Sequence, residues 1–303
     1  MTPDTINAER DADDDRDDTS SDTSYRVPGL ERGLRILTEF SPREPVLGAP
    51  ELSRRLKIPR TTVFRLLQTL ESLGFLERAD KDRNYRLGVA VLRLGFEYLS
   101  SLELTDLGLP IIEALRDETG LTSHIVIRDG RDVVFVAKAQ SHAPIFSSVK
   151  VNVGTRLPAY ATTHGQVLMG DMTLDDLRKL YPEPELERFT KQTPATLEDL
   201  YQRIVDDAKR GFAVSESSFE RGISVVSAPV RNDTGRIVAV ITTTIPRSEI
   251  DATLLDSGLV DKVRRAAGEL SQRLNYRPGG GPRGGPKGAA NSGTKYMKAL
   301  GLK

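Results

Sequence analysis

The sequence contains no cysteine, which excludes disulfide bonds, thiolate zinc sites and cysteine nucleophiles. Only three histidines are present, His124, His142 and His164, so a transition-metal enzyme is not expected. No apolar run approaches the roughly 18 residues that a membrane-spanning helix needs, and the acidic start lacks the apolar segment of a secretory signal. We therefore expect a cytoplasmic protein that contacts no membrane and uses no metal or cofactor.

The net charge is zero, because 43 Lys and Arg balance 43 Asp and Glu. This balance excludes nucleic-acid binding through bulk charge alone, but the charges are unevenly distributed. Residues 1–26 hold nine acids and three bases, residues 277–303 hold six bases and no acid, and residues 27–90 hold twelve bases and eight acids. The two ends have few apolar residues and are predicted to be disordered, as solvated spacers or as modulators of phosphate contacts. A DNA-binding surface is expected in residues 27–90.

Helical spacing predicts three helices in this basic region. The first covers residues 28–40, the second residues 49–56, and the third begins at about Arg60 and ends at Leu73, with Gly74 as its cap. The apolar residues expected on the first helix face are Leu30, Leu34, Leu37 and Phe40. Those expected to point from the third helix into the core are Val63, Leu67 and Leu70.

Two helices joined by a three-residue turn, the second with hydroxyls and arginines at its start, are typical of a helix-turn-helix. The strand-like runs 75–78 and 84–87 flank the polar turn 79–83 and predict a wing. An ordinary helical hairpin with a solvated basic face is the alternative.

The predicted DNA contacts follow from side-chain chemistry. Arginine can donate two hydrogen bonds to guanine or bind phosphate, and threonine can bond phosphate and offer a methyl group to thymine. Thr61 could instead cap its helix. The predicted contacts are Arg54, Arg55, Arg60, Thr61, Thr62, Arg65, Lys81 and Arg83.

Residues 89–105 are predicted to form a linker helix, which could be a rigid connector, a contact between two copies or a helix packed within one chain. Its apolar stripe consists of Val89, Leu92, Phe96 and Leu99. Residues 106–276 alternate helical and strand-like runs and predict an α+β domain around a largely antiparallel sheet. Helices are expected at 105–119, from about 162, at 196–209 and at 248–275. Strands are expected at 124–128, 133–139, 145–151, 212–215, 224–230 and 236–245, with a hairpin turn at Asp129-Gly130.

Enzymatic signatures are absent from this larger domain. The sequence has no G-x-S-x-G, no Walker A motif and no strand followed by G-x-G-x-x-G. His164 lacks a spaced acid and nucleophile, so His164 and His124 are expected to be structural or to contact a ligand. A hydrolase and a structural DNA-binding protein without a ligand are the alternatives to a regulator.

The sequence resembles the IclR family of bacterial transcription regulators over residues 27–276. The resemblance is carried by ERGLRIL (31–37), ELSRRLKIPRTTVFRLLQTLESLGFLER (51–78), YRLGVAVLRLG (85–95), VGTRLPAYATTHGQVLMG (153–170) and GFAVSESSFERGISVVSAPV (211–230). The start LERGLRIL, the linker YLSSL and the segment RLPAYATTHGQVLM look most like the branch that regulates the β-ketoadipate pathway, the protocatechuate and 4-hydroxybenzoate regulators.

The resemblance implies a winged helix-turn-helix at 27–88, a linker helix at 89–105 and a GAF-like effector-binding domain at 106–276, between disordered tails at 1–26 and 277–303. It implies a homodimer, or a dimer of dimers, on a palindromic operator of double-stranded DNA, with RNA polymerase as a further candidate partner. A small organic or aromatic acid would bind the larger domain and alter the operator or promoter contacts. A regulator of another catabolic pathway is the alternative.

Matching motif positions imply an effector site in which hydroxyls hold a carboxylate and aliphatic side chains form an apolar wall. The implied residues are Leu157, Thr163, His164, Ser215, Ile223, Val225, Thr242 and Thr244. The chain departs from many members near Ser215 and Val225, where an acid and a cysteine are missing, and at His164 and Gln166. Two effectors stay open. An aromatic acid would receive a hydrogen bond from His164 at a ring hydroxyl, whereas a dicarboxylic ketoacid would need a cation such as Arg128, Arg156 or His124.

Overall fold

The computed structural model describes residues 27–41, 43–79, 84–101, 103–141, 151–250 and 258–278. The chain divides between Tyr98 and Leu99 into two units, the N-terminal unit and the C-terminal unit. The division falls inside the predicted linker, and the predicted domain limits stay predictions. Apart from positions 277 and 278, the tails and His142 lie outside the described residues.

The described residues of the N-terminal unit form three helices, followed by the start of a fourth, and a small antiparallel sheet with the strand order β1-β3-β2. Its helices are α1 (Pro28–Thr38), α2 (Ala49–Leu56) and α3 (Arg60–Ser72), and its strands are β1 (Leu47–Gly48), β2 (Leu76–Arg78) and β3 (Asn84–Leu87). Helix α3 ends as predicted, because Gly74 has a φ of +74°. The amides of Gly74 and Phe75 bond the carbonyls of Glu71 and Leu70 in a Schellman arrangement.

The predicted apolar face of α1 is wrong in part. Leu30 and Leu34 are 61% and 44% exposed, whereas Ile36 is fully buried and Phe40, just beyond the helix, is also buried. Gly33 is buried beside α3, and a Cβ at this position would lie 4.0 Å from Leu66 Cδ2, an ordinary van der Waals contact. On α3 the prediction holds: two of the expected core residues, Val63 and Leu67, are fully buried and the third, Leu70, is half-buried against the same core.

Among its described residues, the C-terminal unit is built around a six-stranded antiparallel sheet with the order β6-β5-β4-β9-β8-β7. Helix α4 (Ala90–Ser101) crosses the division between the units. The strands are β4 (Thr122–Asp129), β5 (Asp132–Ala139), β6 (Arg156–Pro158), β7 (Ala213–Glu216), β8 (Ser224–Arg231) and β9 (Ile237–Ile245). The helices are α5 (Glu103–Thr119), α6 (Thr163–Leu168), α7 (Leu174–Leu180), α8 (Leu197–Arg210) and α9 (Leu259–Arg273), with a 3-10 turn at Ala159–Ala161.

Helices cover both faces of this sheet. Helices α5 and α9 bury Ile112 and Leu270 against one face, and α7 and α8 bury Leu177 and Leu200 against the other. Gly108 in α5 permits close packing, because a Cβ there would lie 2.3 Å from Ile125 Cδ1. Two cores on opposite sides of one antiparallel sheet confirm the α+β class.

Several predicted elements of the C-terminal unit need correction. The helix expected from residue 248 begins at Leu259, after Gly258 with a φ of +75°, and residues 248–250 are not helical. The hairpin turn contains Gly130-Arg131 rather than Asp129-Gly130, because Asp129 pairs with Asp132. The strand expected at 145–151 lies outside the described residues except for Val151, which is not in a strand.

The linker stripe is described only in part. Val89 and Leu92 are exposed, and the side chains of Phe96 and Leu99 are not described. No helix in the described parts of the chain combines the length and the hydrophobicity needed to cross a membrane.

Candidate functional site

A cavity of about 340 Å³ lies between one face of the six-stranded sheet and the start of α6. Seven of the eight residues expected at the effector site line this cavity: Leu157, Thr163, His164, Ile223, Val225, Thr242 and Thr244. The eighth, Ser215, lies beside it and shares hydrogen bonds with the hydroxyls of Thr163 and Ser218. The structure thus brings the expected residues together around one space.

Strand alternation explains why the cavity wall is polar. Thr122 pairs with Thr244 and His124 with Thr242 across β4 and β9, so all four side chains share one face of the sheet. Further along the same strands this face carries Val126 and Val240, which are packed in the core. This face of the sheet therefore changes from apolar core to polar cavity wall between one side-chain pair, Val126 and Val240, and the next, His124 and Thr242.

Two buried histidines face each other across Phe135. Their ring centroids lie 5.2 Å (His124) and 5.1 Å (His164) from that of Phe135, both edge to face. None of the four ring nitrogens has a hydrogen-bond partner among the described residues. Burial lowers the pKa of both histidines to about 3, and for His124 the nearby Lys138 and His164 contribute to this lowering. Each neutral ring therefore offers one N–H donor and one acceptor to a ligand.

Lys138 supplies a cation to the cavity. Its Nζ donates a hydrogen bond of 2.6 Å to the carbonyl of Val151, and burial lowers its pKa. The lining also includes the carboxylate residue Glu220. Sequence reasoning missed Lys138, because a lysine on a strand usually indicates a solvated position.

The arginines expected to bind a dicarboxylate lie elsewhere. Arg128 donates to the carbonyl of Gly130, and Arg156 forms ion pairs with Asp129 and Asp132. Neither arginine lines the cavity. The third suggested cation, His124, lines it but is neutral at ordinary pH because of its low pKa.

A second candidate site is the exposed face of α3 in the N-terminal unit. Arg60, Thr61 and Arg65 are exposed, and Thr62 is half-buried. Within the described residues, the guanidinium groups of Arg60 and Arg65 form no ion pair, so both are available to an anion. Lys81 and Arg83 of the wing lie outside the described residues.

Arg54 and Arg55 lie in an ion-pair network at α2. Arg55 contacts Glu51 at 2.5 Å and Glu44 at 2.7 Å, and Arg54 contacts Glu51 at 2.6 Å. Hydrogen bonds from both guanidinium groups lower the pKa of Glu51 to about 2. The side chain of Arg55 is only about one-quarter exposed, whereas that of Arg54 is largely exposed. A DNA phosphate would have to displace carboxylates from Arg55.

Family models match both parts of the chain. The model of the IclR helix-turn-helix domain matches residues 29–80, and that of the bacterial transcriptional regulator IclR C-terminal domain matches residues 96–272. The N-terminal unit is therefore a DNA-binding domain, and the C-terminal domain takes a small-molecule effector.

Curated relatives are named as transcriptional regulators. XynR of Escherichia coli is 26% identical, and the match covers 82% of this chain and 98% of the relative. The Pca regulon regulatory protein of Pseudomonas putida is 29% identical, and the match covers 76% of this chain and 79% of the relative. The p-hydroxybenzoate hydroxylase transcriptional activator of Acinetobacter baylyi is 30% identical, and the match covers 82% of this chain and 92% of the relative. The chain is accordingly a regulator and not an enzyme.

Solved structures share the fold. An IclR transcriptional regulator from Alicyclobacillus acidocaldarius is 23% identical with a TM-score of 0.72, and covers 82% of this chain and 100% of its own. An IclR homologue from Microbacterium hydrocarbonoxydans was solved in complex with 4-hydroxybenzoate. It is 21% identical with a TM-score of 0.69, and the match covers 82% of this chain and 99% of that structure's chain. With both domains matched over most of its length, the chain belongs to the IclR family of bacterial transcriptional regulators.

Proposed function

We propose that this regulator controls genes of aromatic-acid catabolism, in the β-ketoadipate pathway, and that an aromatic acid binds in the cavity of the C-terminal unit. The observation that carries the proposal is the pair of buried, neutral histidines without hydrogen-bond partners in a cavity that also contains Lys138. Leaving a buried polar group unpaired costs about 1–3 kcal/mol, so a ligand that pairs with these groups gains that amount.

An aromatic hydroxyacid fits the distribution of groups around the cavity. The ammonium of Lys138 can bind a carboxylate, and an imidazole can bond a ring hydroxyl, which both donates and accepts. Phe135, Ile223 and Val225 provide apolar surface for the ring. A volume of about 340 Å³ is at the low end of ligand cavities and suits a single small ring.

A dicarboxylic ketoacid fits less well. It would need a cation for each carboxylate, whereas the lining offers one lysine, two neutral imidazoles and the acidic Glu220. The names of two relatives support the aromatic assignment, and so does the neighbouring structure solved with 4-hydroxybenzoate. Other relatives, such as XynR, have names without an aromatic compound, so an effector from a different catabolic pathway is the alternative.

The DNA interface that we propose is the exposed face of α3. Arg60, Thr61, Thr62 and Arg65 would enter the major groove, with Arg54, Lys81 and Arg83 at the backbone and Arg55 acting mainly on the domain itself. A palindromic operator would be bound by a homodimer or a dimer of dimers. Leu30 and Leu34 lie four residues apart on α1 and are both exposed, so they share one face of the helix. This pair supports a contact between copies, because contiguous exposed apolar patches commonly mark interaction surfaces.

Calorimetry with 4-hydroxybenzoate, protocatechuate and β-ketoadipate tests the effector assignment. We expect one of the aromatic acids to bind and the ketoacid to bind more weakly. The Thr242→Val variant should weaken binding about two- to tenfold, because it removes one hydroxyl from the wall. Tight binding of the ketoacid alone, or no loss in the Thr242→Val variant, would contradict the assignment.

A further inference from the structure

Helix α3 exposes a large aromatic side chain, that of Phe64, which is 48% accessible to solvent. The same helix buries Val63 and Leu67 completely, so Phe64 does not belong to its inner side. The exposed residues at spacing i, i+3, i+4 and i+7 are Thr61, Phe64, Arg65 and Gln68. This spacing places the four side chains on one face of the helix.

Cationic side chains flank the exposed ring. Arg60 lies one helical turn before Phe64, and Arg65 follows it directly. Neither guanidinium has an ion-pair partner within the part of the chain that the structure describes. The partner of this face should therefore present anions and an apolar group close together.

The major groove of DNA has this combination. Phosphates and guanine acceptors suit the arginines, and thymine is the one standard base with a methyl group in the groove, where phenylalanine can contact it. A protein partner with an acidic rim is the competing explanation, but α3 is the second helix of a helix-turn-helix, which normally enters the groove.

We infer that Phe64 contacts the C5-methyl group of a thymine in the operator, next to the base edge that Arg65 binds. The inference rests on the DNA interface proposed above and adds a base preference to it. Each half-site would then contain a thymine whose methyl group contributes to affinity, beside a base read by Arg65. The operator would lose affinity when that methyl group alone is removed.

The test begins with operator DNA that the full-length protein selects from a random duplex pool. Each thymine is then replaced in turn by deoxyuridine, which lacks only the methyl group. We expect a loss of about fourfold at one thymine per half-site, the value for burial of one methyl-sized group. The Phe64→Ala variant should bind the thymine and uracil duplexes equally. The Gln68→Ala variant, changed on the same exposed face, should keep the fourfold difference.

Other results would overturn the inference. Wild-type protein that tolerates uracil at every position, or a Phe64→Ala variant that keeps the full uracil penalty, shows that Phe64 does not contact a methyl group. If the Phe64→Ala variant keeps the uracil penalty but has a changed sedimentation coefficient, the ring of Phe64 contacts another protein molecule and not DNA. If the folded wild-type protein selects no sequence, the DNA interface itself is wrong. If only Arg65→Ala loses selection and uracil has no effect, the interface stands without the contribution of Phe64.

Discussion

Acidification should destabilise the C-terminal unit through His124 and His164. Burial holds the pKa of both near 3 in the folded protein, whereas an unfolded chain has a histidine pKa of about 6.5. Between these values the unfolded state binds protons that the folded state does not. The stabilisation is therefore complete above pH 6.5 and is lost as the pH falls toward 3.

The expected magnitude is large. For each pH unit below 6.5, each histidine lowers the free energy of unfolding by about 1.4 kcal/mol. Between pH 8 and pH 5 the pair therefore lowers the free energy of unfolding by about 4 kcal/mol. For comparison, the total free energy of unfolding of an ordinary domain is about 5–15 kcal/mol. The ion pairs of Glu51 contribute little to this loss, because both its ordinary pKa of 4.5 and its folded pKa of about 2 lie below pH 5.

Urea denaturation at pH 8 and pH 5 measures this effect. The matched variant carries His124→Gln and His164→Gln, which keep polar side chains but do not titrate in this range. We expect the wild-type protein to lose about 4 kcal/mol more than the variant on acidification. Equal losses in the two proteins would refute the reasoning, because they would mean that neither histidine is held neutral by burial.

Three further substitutions test the sites and the packing. Lys138→Met should weaken 4-hydroxybenzoate binding about 10- to 100-fold in calorimetry, since it removes a charge-assisted hydrogen bond, whereas Arg156→Met, away from the cavity, should have no effect. Arg65→Ala should abolish specific operator binding in a gel shift without changing effector affinity, and retained operator binding would remove Arg65 from the interface. Gly165→Ala should cost about 1–3 kcal/mol, because its Cβ would lie 2.1 Å from a backbone carbonyl oxygen. Gly268→Ala, with nothing within 4 Å, should not destabilise, and equal thermal melting of these two variants would contradict the packing argument.

Local signals in the sequence predicted the N-terminal unit well. Helix α2 has the predicted limits, and α3 ends at the predicted glycine, because capping and helix termination depend on neighbouring residues. The leucines of α1 were predicted less well, since periodicity identifies an apolar side but does not reveal what covers it. Ile36 is buried in the core of the unit, whereas Leu34 is exposed.

Short elements of the C-terminal unit escaped prediction for a related reason. Strand β6 has three residues and exists through its pairing with β5, which the local sequence does not encode. Helix α7 has seven residues, and its signal is the capping box formed by Thr173 and Asp176, which could have been recognised. The positions of the cavity residues came from the family resemblance. Lys138 could not be found either way, because only the tertiary structure brings it beside the histidines.

The most direct measurement is the fluorescence anisotropy of labelled operator DNA, titrated with the protein in the presence and absence of 4-hydroxybenzoate or protocatechuate. If effector and operator are coupled through two states of the protein, a saturating aromatic acid should change the operator Kd by at least about fivefold. The Lys138→Met variant should need a correspondingly higher effector concentration for the same change. An operator Kd that is unchanged by an aromatic acid shown to occupy the cavity would contradict regulation by this ligand.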